Sequence, residues 1–418
     1  SCVNYGCTPS KAMIGSANAI QAARRGSDFG FSAGEVVADF GQIVERRDGI
    51  VRSSREGLIK SLEKRENITL YRHYAAFEAP KRLRVGADLI EGEHIFLNTG
   101  TRATIPQIDG LDSVSYLDNV SLMSLKQLPS HLLILGGGYI GLELAQAFRR
   151  FGSDVTVIER SAAVIDHEDK EFSKGVQKLL ESEGVRFEMN MEVKGVDQHS
   201  EKIRLQLVGK NGAKHTLSGS HLLIATGRTP NSDQIGADKA GLELDEKGYV
   251  TVDDRLRTHI DGVYALGDVN GRGGFTHTSY NDYQVAAANL TGGDCTIADR
   301  ILMYAVFTDP PLARVGMNET EIRKAGRKAL VGTMPMSKVN RAREYGQTEG
   351  LMKVLVDAET EQFLGATLFG LSADEVIHSI IDLMHAKAKY TVMKDAVHIH
   401  PTVAELLPTL LEQLEPLK

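Results

Sequence analysis

The chain has 418 residues, 42% hydrophobic and 25% charged, the composition of a globular protein of roughly two to three domains by length. Lys and Arg total 48 against 55 for Asp and Glu, a formal charge of -7 that argues against a nucleic acid or an anionic membrane as the main partner. Three cysteines exclude a disulfide scaffold, and the uncharged run Leu132–Leu142, broken by glycines, is too short to cross a bilayer.

Helical periodicity runs over 11–27 and over about 41–65, the second heavily charged and read as an exposed amphipathic helix. Leu70–Phe77, Arg82–Val85 and His94–Leu97 read as short strands. After Pro129 the pattern becomes strand, glycine turn, helix, strand: His131–Leu135, Gly136–Gly141, Leu142–Phe151, Val155–Glu159. A helix near 170–183 follows, then strands near 185–189, 203–208 and 221–226, the alternation of a parallel α/β unit. Next come a polar stretch, a strand at Val263–Leu266 ending in Gly267-Asp268, and a helix near 280–291. From about 300 strands near 304–307, 329–335, 351–356 and 362–369 alternate with helices near 318–325, 373–387 and 403–413, an α+β unit.

Gly136-Gly137-Gly138-Tyr139-Ile140-Gly141 fits G-x-G-x-x-G between an apolar strand and a helix, the context the motif requires. The first glycine makes the tight turn, the second admits a pyrophosphate to the backbone, and the third lets helix and strand pack closely. The phosphates are expected at the helix N-terminus. Glu159 ends the next strand, where a carboxylate accepts ribose hydroxyls and repels a 2′-phosphate. That favours NAD over NADP, although Arg160 beside it works the other way.

Cys2 and Cys7 stand in Ser-Cys-Val-Asn-Tyr-Gly-Cys-Thr-Pro-Ser-Lys, a spacing unlike paired metal thiolates and without a second cluster. Two readings stay open from the residues alone. A distorted first turn lets the pair close a small, reversible disulfide loop near a helix N-terminus; otherwise they are two unpaired thiols. Cys295 is expected to be a small buried hydrophobe. Near the C-terminus, Pro401 reads as a first helical residue, placing His400 just before a helix and Glu405 about one turn in. There the dipole would lower the imidazole pKa and the carboxylate would orient the ring, which suits a base that takes a proton from a thiol. The alternative is a capping histidine beside an ordinary surface glutamate.

These signals together resemble the class I pyridine-nucleotide–disulfide oxidoreductases, the family of lipoamide dehydrogenase, glutathione reductase and mercuric reductase. The resemblance covers essentially the whole chain. It rests on Cys-x4-Cys-x-Pro-Ser-Lys, Gly136–Glu143, Ala225-Thr226-Gly227-Arg228, Ala265-Leu266-Gly267-Asp268, Thr308-Asp309-Pro310-Pro311 through Val315-Gly316, and His400–Glu405. It implies an α/β architecture of two Rossmann-like FAD- and NAD(P)-binding domains, the FAD one incomplete, with a C-terminal α+β dimerisation domain. The implied segments are 1–117 and 236–299 for FAD, 118–235 for NAD(P) and 300–418 for dimerisation. It also implies FAD, a nicotinamide nucleotide, a redox disulfide, a homodimer and a cytoplasmic setting without nucleic acid or membrane.

By motif match the resemblance makes Cys7 the thiol beside the flavin and Cys2 the thiol that meets the substrate. Lys11 is implied near the flavin with Glu143 as partner, and Tyr139 covers the nicotinamide pocket. Ala75, Thr99, Gly100, Thr101, Asp268 and His277 are implied at the flavin, and Ile140, Val193 and Gly227 at nucleotide, beside the glycine loop and Glu159. His400 and Glu405 match the acid–base dyad, supplied in the family by the other subunit. The family's first Rossmann loop precedes the cysteine pair, so the chain is read as a fragment, expected to bind FAD poorly and to leave a parallel sheet without its central strand. The tail Leu410–Lys418 has no cysteine pair of the mercuric-reductase kind, and those enzymes lack the His–Glu dyad. Both points favour a dithiol or disulfide substrate of the lipoamide dehydrogenase type over mercuric ion. Tyr5 and the wording of the cysteine segment look as close to mercuric reductases. Glutathione reductases, which prefer NADPH and carry arginines where Glu159 sits, rank third. A catalytically inactive dimeric binding module is the reading from another class.

Overall fold

The computed structural model describes residues 2–418. They fall into two compact units. One holds residues up to Pro9, Asp48–Ile105 and Thr226–Arg300; the other holds Ser10–Arg47, Pro106–Ala225 and Ile301–Lys418. The units divide at 105/106 and 225/226, where the sequence reading placed boundaries at 117/118 and 235/236.

In the first unit, Ala75–Ala79, Arg82–Val85 and Asp88–Glu91 form an antiparallel meander. Ile95–Leu97 pairs in parallel with Val263–Ala265, and Thr101–Ala103 pairs antiparallel with Arg228–Pro230. Phe77, Ile95, Leu97, Ile235, Val250, Val263 and Val269 make the core. The helix Thr276–Leu290 buries Val285 and Ala286 against Leu256, Leu266 and Ile297. The strand expected from Leu70 begins only at Ala75, the first residue with a partner, Val85; Leu70, Tyr71 and Tyr74 are exposed. Cys295 is exposed, contrary to expectation, in a loop that Asn289 ties through both the Cys295 N–H and carbonyl.

In the second unit a parallel sheet runs in the order His221–Ile224, His131–Leu135, Asp154–Glu159, Arg186–Met189. The middles of its central strands, Leu132–Leu135 and Val155–Ile158, are buried and apolar but for Thr156, because both faces are covered. One cover is the antiparallel sheet Met191–His199, Lys202–Gly209, Lys214–Gly219, whose Val193, Ile203, Leu205 and Leu207 pack with Leu133, Leu135 and Ile158. Helix Tyr139–Phe151 also receives the start of helix Phe40–Glu63, through the rings of Phe40, Phe148 and Phe151. Asn18, on helix Cys7–Arg24, accepts from Arg150. That packing is why residues 10–47 belong with this unit.

The C-terminal part of this unit is a six-stranded sheet: Met303–Val306, Leu312–Gly316, Phe363–Phe369, Leu351–Asp357, Ala329–Pro335, Glu415–Pro416. The expected helix 373–387 is two pieces, Ala373–Val376 and His378–His385, and 403–413 narrows to Leu406–Leu411. The segment 161–169 is tied to this sheet by ion pairs of Arg314 with Glu168 and of Lys353 with Asp169. Among the described residues no helix is long and apolar enough to cross a membrane.

Candidate functional site

The cysteine segment folds as a short helix, Cys2–Tyr5, a bend at Gly6, and a second helix, Cys7–Arg24. This is the distorted first turn that the spacing requires. Neither sulfur is in a disulfide; Cys2 is partly exposed and Cys7 exposed. The Cys7 Sγ lies 3.4 Å from the Thr276 hydroxyl. Burial alone would raise the Cys2 pKa; hydrogen bonds from Thr276 and from the Cys7 side chain and backbone N–H outweigh it and hold the thiol below its ordinary value. A lowered thiol is richer in thiolate, the nucleophile of disulfide exchange. Thr276 was not foreseen: a hydroxyl 269 residues from Cys7 carries no local signal.

In the same unit Thr101 Oγ1 donates to Asp268 Oδ2 at 2.9 Å, and Arg228 donates to Thr101 through Nε and Nη2. Asn231 binds the carbonyls of Thr99 and Gly100. Gly100 has φ +68, and a Cβ built there meets open space. His277 stacks on Phe275 at 5.4 Å. Ala75 is the exposed end of its strand, and the Gly227 carbonyl, at φ +140, accepts from the Thr104 N–H. An open glycine turn beside a fixed carboxylate, with an exposed thiol in the same unit, fits the ring and polar chain of a flavin.

In the second unit Lys11 Nζ reaches Glu143 Oε2 at 2.7 Å and sits 4.6 Å from the centre of the Phe307 ring. Gly136 turns at φ +115, and a Cβ on Gly141 would stand 2.2 Å from the Gly136 carbonyl oxygen, so that position tolerates only glycine. Gly138 faces open space at the start of helix Tyr139–Phe151, which has no side-chain cap. The start of this helix, Tyr139 and Ile140 included, is where the helix dipole favours an anion. Glu159 accepts from the Gly137 N–H at 2.7 Å on one oxygen and from the Ser161 N–H at 2.8 Å on the other. The loop, the uncapped helix and the acid fit a dinucleotide. Val193 packs its side chain in the core, leaving only its backbone for such a ligand.

His400 Nδ1 lies 2.9 and 3.1 Å from the two Glu405 oxygens. The pairing is as expected, but its setting is not. Pro401 follows a cis peptide and lies outside any helix, which starts only at Leu406. Thr402 replaces the missing turn, donating to the Ile399 carbonyl and accepting from the Glu405 N–H. The dipole argument for His400 therefore loses its basis, and the carboxylate alone orients the ring.

Residues 1–289 match the model of the pyridine nucleotide-disulphide oxidoreductases, and residues 302–411 match that family's dimerisation domain. The chain is 33% identical over 417 residues to the probable pyridine nucleotide-disulfide oxidoreductase RclA of Escherichia coli, covering 98% of this chain and 89% of that one. It is 34% identical over 413 residues to a mercuric reductase of Streptomyces lividans (97% and 87%) and 29% identical over 412 residues to a dihydrolipoyl dehydrogenase of Cupriavidus necator (97% and 86%). A solved structure of the Escherichia coli protein, a Cu(II) complex of an HOCl-induced flavoprotein disulfide reductase, superposes with a TM-score of 0.89 over 98% of this chain and 90% of that one. The family depends on FAD and draws electrons from NAD(P)H. With glycine loop, thiol pair and dimerisation segment in place, the chain belongs to the class I pyridine nucleotide-disulfide oxidoreductases.

Proposed function

We propose that this protein passes electrons between NADH and a dithiol or disulfide through Cys2 and Cys7, with His400 and Glu405 as acid–base pair, in the manner of lipoamide dehydrogenase. The observation that carries the reading is the two-oxygen grip of Glu405 on His400 Nδ1, with the ring itself exposed. Bound FAD would supply a two-electron carrier and NADH the hydride. Gly136, Gly137, Gly138, Tyr139, Ile140, Gly141 and Glu159 would hold the nucleotide. Lys11, Ala75, Thr99, Gly100, Thr101, Asp268 and His277 would hold the flavin, the segments 1–117 and 236–299 serving FAD and 118–235 NAD.

The Cys2 thiolate attacks one sulfur of the substrate disulfide, the S–S bond breaks, and the leaving thiolate takes a proton from the imidazole Nε2. Cys7 then attacks Cys2, releasing the second thiol and leaving a Cys2–Cys7 disulfide. In the homodimer that residues 300–418 would build, the imidazole is His400 of the partner subunit. Glu405 keeps Nδ1 protonated, so Nε2 is the atom that exchanges protons.

The test is NAD reduction by dihydrolipoamide with the purified holoenzyme. Turnover that collapses in Cys2→Ser supports the reading; a holoenzyme whose flavin is reduced by NADH but which turns over no dithiol overturns it. A second reading is reduction of a soft or redox-active metal ion by the same thiol pair. It is favoured by the mercuric reductase relative and by the Cu(II) complex of the Escherichia coli protein. Hg(II)- or Cu(II)-dependent NADH consumption without dithiol turnover would select it.

A further inference from the structure

The end of strand Val263–Ala265 runs into a single tight turn, Gly267–Asn270, that presents Asp268. Gly267 has φ +69, and a Cβ there would lie 2.6 Å from Ser279 Oγ and 2.7 Å from Asn98 Oδ1. The turn is therefore wedged, but wedging does not set its rotation. One buried carboxylate does. Asp282, 1% exposed on helix Thr276–Leu290, accepts the Gly267 N–H at 2.7 Å and the Asn270 amide at 2.9 Å on Oδ2. Its Oδ1 is ion-paired with Arg300, and Asn270 also donates to the Ala265 carbonyl. Both ends of the turn thus hang on one oxygen, whose direction the partly buried Arg300 guanidinium fixes from the far side. The Asp268 side chain is steadied separately, through Thr101 and Arg228.

We propose that Asp282 is a positioning residue for the flavin: by gripping Gly267 and Asn270 it sets the turn that aims Asp268 at the polar chain of the cofactor. This rests on the reading above that Asp268 faces FAD. A charge-assisted hydrogen bond to a buried backbone N–H is among the stronger interactions available, and losing it frees the turn.

The experiment is titration of apoprotein with FAD, followed by flavin fluorescence, together with the visible spectrum and midpoint potential of the reconstituted enzyme. Asp282→Asn keeps the shape but loses the charge and one acceptor. The FAD dissociation constant is expected to rise about tenfold, with spectrum and potential moving in the direction seen in Asp268→Asn. NADH binding to the apoprotein, which uses the other unit, is expected to stay unchanged. Asn270→Ala removes one of the two grips and is expected to raise the constant about threefold; it carries the test if Asp282→Asn gives no soluble protein. Wild-type affinity and an unshifted potential in the variants would overturn the inference while leaving the functional reading intact. A wild-type protein that takes up no FAD would instead remove the functional reading, and this inference with it.

Discussion

Glu143 accepts Lys11 Nζ at 2.7 Å on one carboxylate oxygen and the Phe307 N–H at 2.8 Å on the other. The carboxylate is 3% exposed and the lysine 34%. The two partners are therefore not equivalent. Lys11→Met leaves a charge in the interior with only one hydrogen bond, a loss expected near 2 kcal/mol after discounting for the lysine's partial solvation. Glu143→Gln keeps an oxygen for the Phe307 N–H and leaves a lysine that water reaches, at a cost of about 1 kcal/mol. Urea or thermal midpoints decide the order: Lys11→Met must fall further. The opposite order would mean that Glu143 is held mainly by its packing.

Thr276 supplies the second testable asymmetry. Burial pushes the Cys2 pKa up, and hydrogen bonds led by Thr276 pull it below the ordinary thiol value. Thr276→Val removes that donor and keeps the volume. Rates of iodoacetamide alkylation at Cys2, followed against pH by mass spectrometry, are expected to show their midpoint moving upward in the variant. A midpoint that stays or moves down would show that the Cys7 side chain and N–H hold the thiolate without Thr276.

His400→Gln leaves the glycine loop, Glu159 and the cysteines untouched. Dithiol oxidation is expected to slow by a factor on the order of 100 to 10,000, the range for losing a positioned base, while NADH reduces the flavin at the wild-type rate. Glu405→Gln keeps a hydrogen bond to Nδ1 but drops the charge, and is expected to cost about tenfold. Stopped-flow measurement of the two half-reactions separates these. Equal slowing of both halves would place His400 outside proton transfer.

The parallel unit was legible because its signals are local. The apolar strand His131–Leu135, the glycines after it and Glu159 lie within one βαβ length, and the structure brings Glu159 onto the Gly137 N–H. Strands Met191–His199 and Lys214–Gly219 were not read, although Met191, Val193 and Gly195 alternate inward, because charged residues occupy their outer faces and a bulge breaks the alternation before Val196. Leu312–Gly316 was missed because it is short and follows Pro310 and Pro311. Pro401 misled for a chemical reason: Thr402 satisfies the backbone groups that a first helical turn would have used. Thr276 and Phe307 act through contacts 269 and 164 residues away in sequence, which no window along the chain can display, and Asp282 acts on a turn 15 residues upstream without a periodic signal.

Glu168 carries the last prediction. Its Oε1 accepts the Tyr304 hydroxyl and faces Arg314 Nη1 at 3.6 Å and His167 Nε2 at 3.8 Å; Oε2 is buried and without a partner among the described residues. Burial pushes the carboxyl from 4.5 up to about 7, against the pull of Arg314 and with a further push from Asp169 and Glu321. A raised carboxyl pKa means that the folded chain holds a proton the unfolded chain has released between these values. Stability from this group is therefore present below pH 4.5 and declines as pH rises through 7, by at most roughly 3 kcal/mol. The segment it anchors also meets the nucleotide loop, since the Ile165 N–H donates to the Gly137 carbonyl at 2.9 Å. Glu168→Gln fixes the group in a neutral form. Melting temperatures at pH 5, 6, 7 and 8 are expected to show the wild type losing ground to the variant across the series, the gap opening as pH rises. Parallel profiles would mean that Arg314 keeps Glu168 ionised throughout, and that the buried oxygen is compensated by the ion pair alone.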